Sequence, residues 1–216
     1  MASQSSIVYE QLKDMIFHMK LMPGQRISEL QFASALHVSR TPVHDAVRRL
    51  AAERLVTLES NRSAVVANFS DEEIRHIGSI RLAQDLLCAQ LASYYGSSAD
   101  FDILEGLASE CENAAEQGDI YNRIQADGAF HLKIAEISGN SQLYEQQKSL
   151  YQQIHLIQIS RYTNISDSLQ QIHLHRPILE AIRSQDNKEI RRLLCEHMRD
   201  FYHLDPYLLK CYSGEE

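Results

Sequence analysis

No stretch of this 216-residue chain approaches the run of about 18 apolar residues that a membrane-spanning helix needs, which excludes a helical membrane protein. Cysteine is sparse and scattered. Cys88, Cys111, Cys195 and Cys211 form no Cys-x-x-Cys pair, which argues against a disulfide scaffold or a cysteine zinc ribbon and makes a reducing cytoplasm the expected compartment. The first 15 residues lack the basic start and apolar block of a secretory signal, so none is expected. Internal repeats and low-complexity tracts are also missing. What is plentiful is apolar residues, at 44%, enough for a real core and too many for a disordered chain. The length fits one large domain or two small ones.

Excess positive charge is lacking overall, since the net charge is −8, and that average alone argues against nucleic acid. The distribution is uneven. Residues 1–69 hold 8 Lys+Arg and 6 Asp+Glu, whereas residues 70–216 hold 13 and 23. Only the first third has a balance compatible with approaching DNA. Seven of the ten histidines lie in the acidic part. Two segments with different electrostatic roles are therefore expected, with the boundary at residues 69/70.

Residues 6–20 read as a helix with Ile7, Leu12, Met15, Ile16 and Met19 on its apolar side. Met22-Pro23-Gly24-Gln25 is a turn. Ser28 then caps a short helix carrying Leu30, Ala33 and Leu36, and Ser39 caps a second, from about Arg40 to Arg54, that buries Val43, Ala46, Val47 and Leu50. Two short helices with a tight connection have the spacing of a helix-turn-helix. Two β-prone runs follow, Val56–Glu59 and Ala64–Ala67, separated by Ser60-Asn61-Arg62-Ser63, which makes the motif winged. Ser70 and Glu73 form a capping box that opens the second segment. Helical periodicity then dominates. Stripes run through Ile77, Ile80, Leu87, Leu91 and Tyr94, through Leu143, Leu150, Ile154 and Ile157, through Leu169, Ile172, Leu179 and Ile182, and through Ile190, Leu193, Leu194, Phe201 and Leu204. Residues 100–117 and 120–137 add further helices. The expected fold is mainly α, a winged helix-turn-helix at residues 1–69 followed by an all-α bundle of six or seven helices at 70–216.

A recognition helix offers its first turn and one polar face to the major groove while the other face packs. Opposite Val43, Val47 and Leu50 stand Thr41, His44, Asp45 and Arg48, with Arg40 in the first turn. Arg40 is suited to forking onto a guanine or clamping a phosphate. Arg48 and Arg49 suit phosphates, and Arg62 at the hairpin tip suits the minor groove or the backbone. The competing reading is a surface helix with ordinary solvated charges. Residues 12–67 resemble the GntR family of bacterial winged-helix repressors. The resemblance rests on Leu21-Met22-Pro23-Gly24, Ile27-Ser28-Glu29-Leu30, Ala33, Leu36, Val38-Ser39-Arg40-Thr41-Pro42-Val43, Arg49-Leu50 and Leu55-Val56. It implies Arg40 and Thr41 as the principal groove contacts. Two positions depart from the family: His44-Asp45 stands where Arg-Glu is common, and Ser63 replaces a wing-tip glycine.

The second segment carries another constellation. Asp127 and His131 are four apart and share the inward stripe of Ile124 and Ile134. His175 falls on the stripe of Leu179 and Ile182, and His197 on that of Leu194 and Phe201. Three stripes that should be apolar each carry a metal-type ligand. An isolated carboxylate in such a core is costly, and one shared divalent cation relieves that cost. Hydrogen-bonded core histidines remain the alternative. His155, His173 and His203 read as ordinary solvated residues, and Pro177 marks a helix start or a kink.

Residues 70–210 resemble the FCD effector domain of the same repressors. The matching residues are Arg81, Asp127 with Phe130-His131, Ser138-Gly139-Asn140 with Leu143, His175 with Ile178 and Ala181-Ile182, and His197. In metal-containing members this Asp and three His bind one divalent ion, so the resemblance implies a metal site at Asp127, His131, His175 and His197. Gln84 stands where an acid is usual after the first-helix Arg. Arg81 and Arg161 both read as inward cations for the remaining charge of a small carboxylate or hydroxy-acid effector; a salt bridge from Arg81 to Asp85 is the competing reading. The expectation is a cytoplasmic regulator, a repressor by its family, acting as a homodimer on a palindromic operator. It would hold one divalent ion per chain, zinc first and nickel or manganese next, and sense a small anionic metabolite. The alternatives are a mononuclear metalloenzyme and a regulator whose C-terminal domain is purely structural.

Overall fold

The computed structural model describes residues 3–59, 63–162 and 173–213. The chain divides into two units, Met1–Phe69 with Gln152–Ser160, and Ser70–Tyr151 with Arg161–Glu216. Residues 152–160, expected in the C-terminal segment, thus group with the N-terminal one. They are the last part of a 21-residue helix, about 30 Å long and more than one small unit requires.

In the first unit, α1 (Gln4–Phe17) is capped by Ser3, whose side chain accepts from the Ser6 N–H. It turns Val8, Leu12 and Ile16 inward, whereas Ile7 is half exposed. The turn at Gly24 has φ +79°, and its N–H donates to the Val66 carbonyl. A two-residue strand, β1 (Arg26–Ile27), follows; it is too short to leave a periodicity in the sequence. Ser28 caps α2 (Glu29–Ala35) as expected. His37 takes a positive φ of 52°, turning the chain toward α3 (Arg40–Ala52) within four residues. Ser39 occupies the N-cap of α3 but makes no side-chain cap bond. β2 (Val56–Leu58) and β3 (Ala64–Val66) pair antiparallel with Val56 opposite Val66, and β1 joins on the other side of β3. Val43, Ala46, Val47 and Leu50 are wholly buried against α1, which fixes the opposite face of α3 outward.

The second unit is helical throughout its described residues. α4 (Asp71–Tyr95) opens with the Ser70–Glu73 capping box, both of its reciprocal bonds being formed. α5 (Ser98–Glu116) starts with a second box, Ser97 with Asp100. α6 (Ile120–Ile137), α7 (Ser141–Arg161, except residues 152–160, which belong to the first unit), α8 (His175–Arg183), α9 (Asn187–Arg199) and α10 (Pro206–Ser213) complete it. Gly118 and Gly139, with φ +74° and +68°, make the turns before α6 and α7. α6 packs on α5 and α4, and α9 on α4 and α8. α8 begins at His175, so Pro177 lies in its first turn, where the missing N–H costs no helical bond. Leu169 and Ile172 of the expected third stripe lie outside the described residues.

One stripe differs from expectation. On α4 the inward residues are Ile74, Ile77, Leu82, Leu86 and Ala89, whereas Ile80, Leu87 and Tyr94 are 50%, 45% and 76% exposed. The helix is amphipathic twice over. Periodicity reveals a stripe but not what covers it, and the stripe read as core faces out of this chain.

Candidate nucleic-acid interface and metal centre

Burial of one face of α3 leaves Arg40, Thr41, His44, Asp45 and Arg48 exposed on the other. Two of these side chains are held from behind. Glu29, first residue of α2 and largely sheltered, accepts a hydrogen bond from His44 Nδ1 at 2.9 Å and lies 3.7 Å from Arg40 Nη2. Arg49 points elsewhere: its guanidinium covers the Tyr9 ring at 3.5 Å, and its Nε is 3.6 Å from Glu53. Tyr9 donates its hydroxyl to Glu53, and burial, then that bond, pushes the phenol pKa up. Arg49 therefore ties α3 to α1. Arg62 lies outside the described residues. Ser63, at the edge of the hairpin loop, donates to Glu59.

In the second unit, α6 supplies Asp127 and His131, α8 supplies His175, and α9 supplies His197. All four are buried, and one ligand atom from each lies within 4.8 Å of all the others. His131 Nε2 and His197 Nε2 are 3.1 Å apart. His175 Nε2 is 3.2 Å from Asp127 Oδ1, yet neither ring nitrogen of His175 has a hydrogen-bond partner. Nitrogen and oxygen ligands at about 2.0–2.1 Å from a common first-row ion stand roughly 3.0–3.4 Å apart, so these separations fit a shared cation. The structure thus brings the expected quartet together into one buried cluster.

The electrostatics suit ligation. Burial pushes His175 down, its contact with Asp127 opposing only in part. Burial, then the neighbouring His131 and His175, holds His197 well below the ordinary histidine value. Both imidazoles are thus neutral, the form that binds metals. Burial alone would raise the Asp127 carboxyl. His175, Arg81, His131 and Arg123 outweigh it and hold the group well below the usual carboxylate range.

Charged groups surround the quartet, among them the Arg81 that the sequence read as inward and its partner Asp85. Asp85 Oδ2 is 3.1 Å from His131 Nδ1, which orients the ring and leaves Nε2 facing the other ligands. Gln147 and Tyr151 donate to Asp85. Asp85 supplies the acid that Gln84 lacks; Gln84 instead contacts Gln146. Arg81, 1% exposed, spans the site: its Nε donates to Asp85, its Nη1 donates to the Tyr202 hydroxyl at 2.8 Å, and its Nη2 is 3.7 Å from Asp127 Oδ2. The salt-bridge reading of Arg81 is thus realised, in direct contact with the candidate ligands.

Arg123 escaped the sequence analysis. It is 0% exposed and none of its three side-chain nitrogens has a hydrogen-bond partner. Its Nη1 is 3.7 Å from Asp127 Oδ1 and its guanidinium covers the Tyr162 ring at 4.6 Å. The available signal was its place one helical turn before Asp127, on the same inward face.

Arg161 corrects an expectation. It is not buried: it is the last residue of α7, its side chain is 46% exposed, and it donates to Asp71 at 2.7 Å. The inward stripe of Ile154 and Ile157 ends before it. Arg161 nevertheless lines a cavity of about 530 Å³ together with Asp71, Tyr162, His173, His203 and the candidate ligand His197. That volume suits a small metabolite. His173 and His203 are exposed, as expected, but stand at this cavity. His155, by contrast, is buried.

Comparison with known proteins gives a family match for each of the two regions. Residues 4–66 match the profile of the bacterial regulatory proteins of the gntR family, and residues 76–200 that of the FCD domain. The chain is 27% identical over 199 residues to the HTH-type transcriptional regulator YdhC of Bacillus subtilis, covering 88% of this chain and 89% of that protein. It is 22% identical to the HTH-type transcriptional repressor RspR of Escherichia coli, over 89% of this chain and 85% of the relative. Among solved structures, E. coli McbR/YncC shares its fold with a TM-score of 0.79 at 24% identity, over 98% of this chain and 100% of that one.

Proposed function

The chain belongs to the gntR family of bacterial regulatory proteins and carries an FCD domain, and from that premise we propose that it is a metal-dependent, metabolite-responsive repressor. It is a DNA-binding transcriptional regulator and not an enzyme. Residues 1–69 read the operator and residues 70–216 sense and dimerise. Arg40, Thr41, His44 and Arg48 face DNA from α3 and Arg49 acts there by holding the helix; Arg62, outside the described residues, is kept as a further DNA contact on its sequence alone. Repression follows the relative whose name states it, RspR. No described helix is long and apolar enough to cross a membrane.

A two-fold dimer that reads a palindrome needs a self-complementary surface. The face of α4 with Ile80, Leu87 and Tyr94 supports one: the residues recur every seven positions, and between Leu86 and Tyr95 the helix carries no charge to repel its own copy.

The sensing half is carried by one observation: four buried ligand atoms, from three helices, within 4.8 Å of one another. Asp127, His131, His175 and His197 would hold one divalent ion. Three imidazoles and a carboxylate suit zinc first, with nickel and manganese tolerated. Such an ion would supply a Lewis-acidic position for an anionic oxygen. The surrounding charge supports an anionic effector. Arg81 and Arg123 balance Asp85 and Asp127 beforehand, so a divalent ion with neutral imidazoles leaves two positive charges in excess. Unpaired, each buried charge costs several kcal/mol. A small carboxylate or hydroxy acid removes that excess. Arg81 is engaged by Asp85 and Tyr202, so the acid would draw on Arg161, which lines the cavity, and on Arg123, which lies behind the cavity residue Tyr162 without a hydrogen-bond partner. Effector binding shifts the operator equilibrium only by its differential affinity for the two dimer arrangements.

Gel-shift titration tests the reading. Operator affinity should fall steeply with salt and should respond to one class among a panel of small carboxylic and hydroxy acids, in metal-loaded protein only. Affinity indifferent to every acid would refute the sensing half while leaving the DNA-binding half intact.

A further inference from the structure

The recognition helix presents one side chain whose protonation pattern is fixed from behind. His44 Nδ1 and Glu29 Oε1 are 2.9 Å apart. A carboxylate only accepts, so the hydrogen of this bond sits on Nδ1. A neutral imidazole with a proton on Nδ1 has a bare Nε2, which can only accept. Glu29 is well placed to impose this. Its side chain is 19% exposed, against 52% for His44 and 68% for Arg40, so the anchor is sheltered while both held groups stay accessible. It is fixed at the start of α2 by the Ser28 cap. Its second oxygen, 3.7 Å from Arg40 Nη2, leaves that guanidinium its remaining donors. The same α3 face thus offers donors at Arg40 and an acceptor one turn later at His44.

In the major groove the bases differ in what they can give. Only cytosine N4 and adenine N6 donate; guanine N7 and O6 and thymine O4 accept. A bare imidazole nitrogen is complementary to the first pair and repelled by the second. We propose that Glu29 locks His44 as the Nδ1–H tautomer, so that His44 Nε2 selects a base with a major-groove amino group, cytosine or adenine, at one position of each half-site. His44 is then a specificity-determining contact and Glu29 the residue that positions it. The inference rests on α3 being the recognition helix. Asp45 is the competing acceptor, since a carboxylate also accepts from cytosine N4.

The test has two arms on the full-length protein. Nitrogen-15 NMR of the histidine rings in DNA-free protein should show His44 protonated on Nδ1, and Glu29→Gln should mix the tautomers. An Nε2–H tautomer in the wild type overturns the proposal. Selection from randomised duplex DNA, followed by affinities at fixed salt, should give one position per half-site where cytosine or adenine is preferred about five- to tenfold over guanine and thymine. His44→Ala should reduce that preference below about twofold while preferences elsewhere persist, and Glu29→Gln should weaken it. A wild type that selects guanine or thymine there, or a preference lost in Asp45→Ala but kept in His44→Ala, overturns the proposal. If His44→Ala no longer binds DNA, the NMR arm decides. Arg40→Ala separates the two levels. If it abolishes specific binding while His44→Ala changes no preference, only the His44 proposal falls; if neither variant affects binding, the recognition-helix reading falls with it.

Discussion

Replacing Gly78 by Ala should destabilise the protein although it replaces a helix breaker by the best helix former. Gly78 lies inside α4, and a Cβ there would stand 2.4 Å from both Cβ and Cγ of Tyr202. Carbon atoms rest at about 3.5–4.0 Å, so the overlap exceeds 1 Å. It falls on the base of the tyrosine, not on a flexible tip. Tyr202 is wholly buried and accepts from Arg81 Nη1 at 2.8 Å, so it cannot swing aside without straining that bond. Overpacking costs about 1–3 kcal/mol and loss of a charge-assisted bond about 1.5–3 kcal/mol, against a propensity gain near 1 kcal/mol. The net expectation is a loss of about 1.5–5 kcal/mol, which at about 2–4 °C per kcal/mol lowers Tm by roughly 3–20 °C. Gly106, within α5, is the internal control: a Cβ there meets nothing within 4 Å. Gly106→Ala should raise stability by up to about 1 kcal/mol. Calorimetry on both variants checks the pair. If both raise Tm alike, the close approach of Tyr202 to α4 is wrong, and with it the link from the turn after α9 to Arg81.

If the proposed dimer pairs through α4, Leu87→Glu, which would place like charges face to face across its two-fold axis, should give a monomer in sedimentation where the wild type gives a dimer; a variant that stays dimeric would move the interface off α4. The Ser70 N–H and hydroxyl hold the Glu73 carboxyl below its ordinary value. That contribution is complete above the unfolded value of about 4.3 and is lost as pH falls through the lower folded value. Ser70→Ala should therefore cost about 1 kcal/mol near neutrality and less at pH 3, as denaturant titrations at both pH values would show. Cys211 is exposed, whereas Cys88, Cys111 and Cys195 are buried, burial pushing the Cys111 thiol up to about 12. A disulfide reagent should modify one thiol quickly in native protein and four after unfolding; more than one fast thiol would contradict this burial pattern.

Much of the molecule was legible because local chemistry and global fold agree. The Ser70–Glu73 box, the turn glycines and the two-face pattern of α3 are local signals, and each element formed where its signal stood. Asp127, His131, His175 and His197 were legible for a sharper reason: each interrupts an apolar stripe, and a polar group on a buried stripe requires a partner. Arg123 interrupts the same face as Asp127, but an arginine near a helix start also suits solvent, so its burial emerged only in three dimensions. Asp85 was read solely as a partner for Arg81; its bond to His131 joins residues 46 positions apart in sequence, and no spacing rule reaches that far. Arg161 misled because a stripe was extended to the last residue of its helix, where the side chain turns to solvent. Ile80, Leu87 and Tyr94 misled in the opposite way, as an apolar face that no described element of this chain covers.

Elemental analysis of the purified wild type beside His131→Ala and Asp127→Ala, with circular dichroism confirming that all three are folded, tests the metal centre most directly. One divalent ion per wild-type chain and its loss from both variants is the expected result. A folded wild type without an ion, or variants that keep the wild-type stoichiometry, would contradict it.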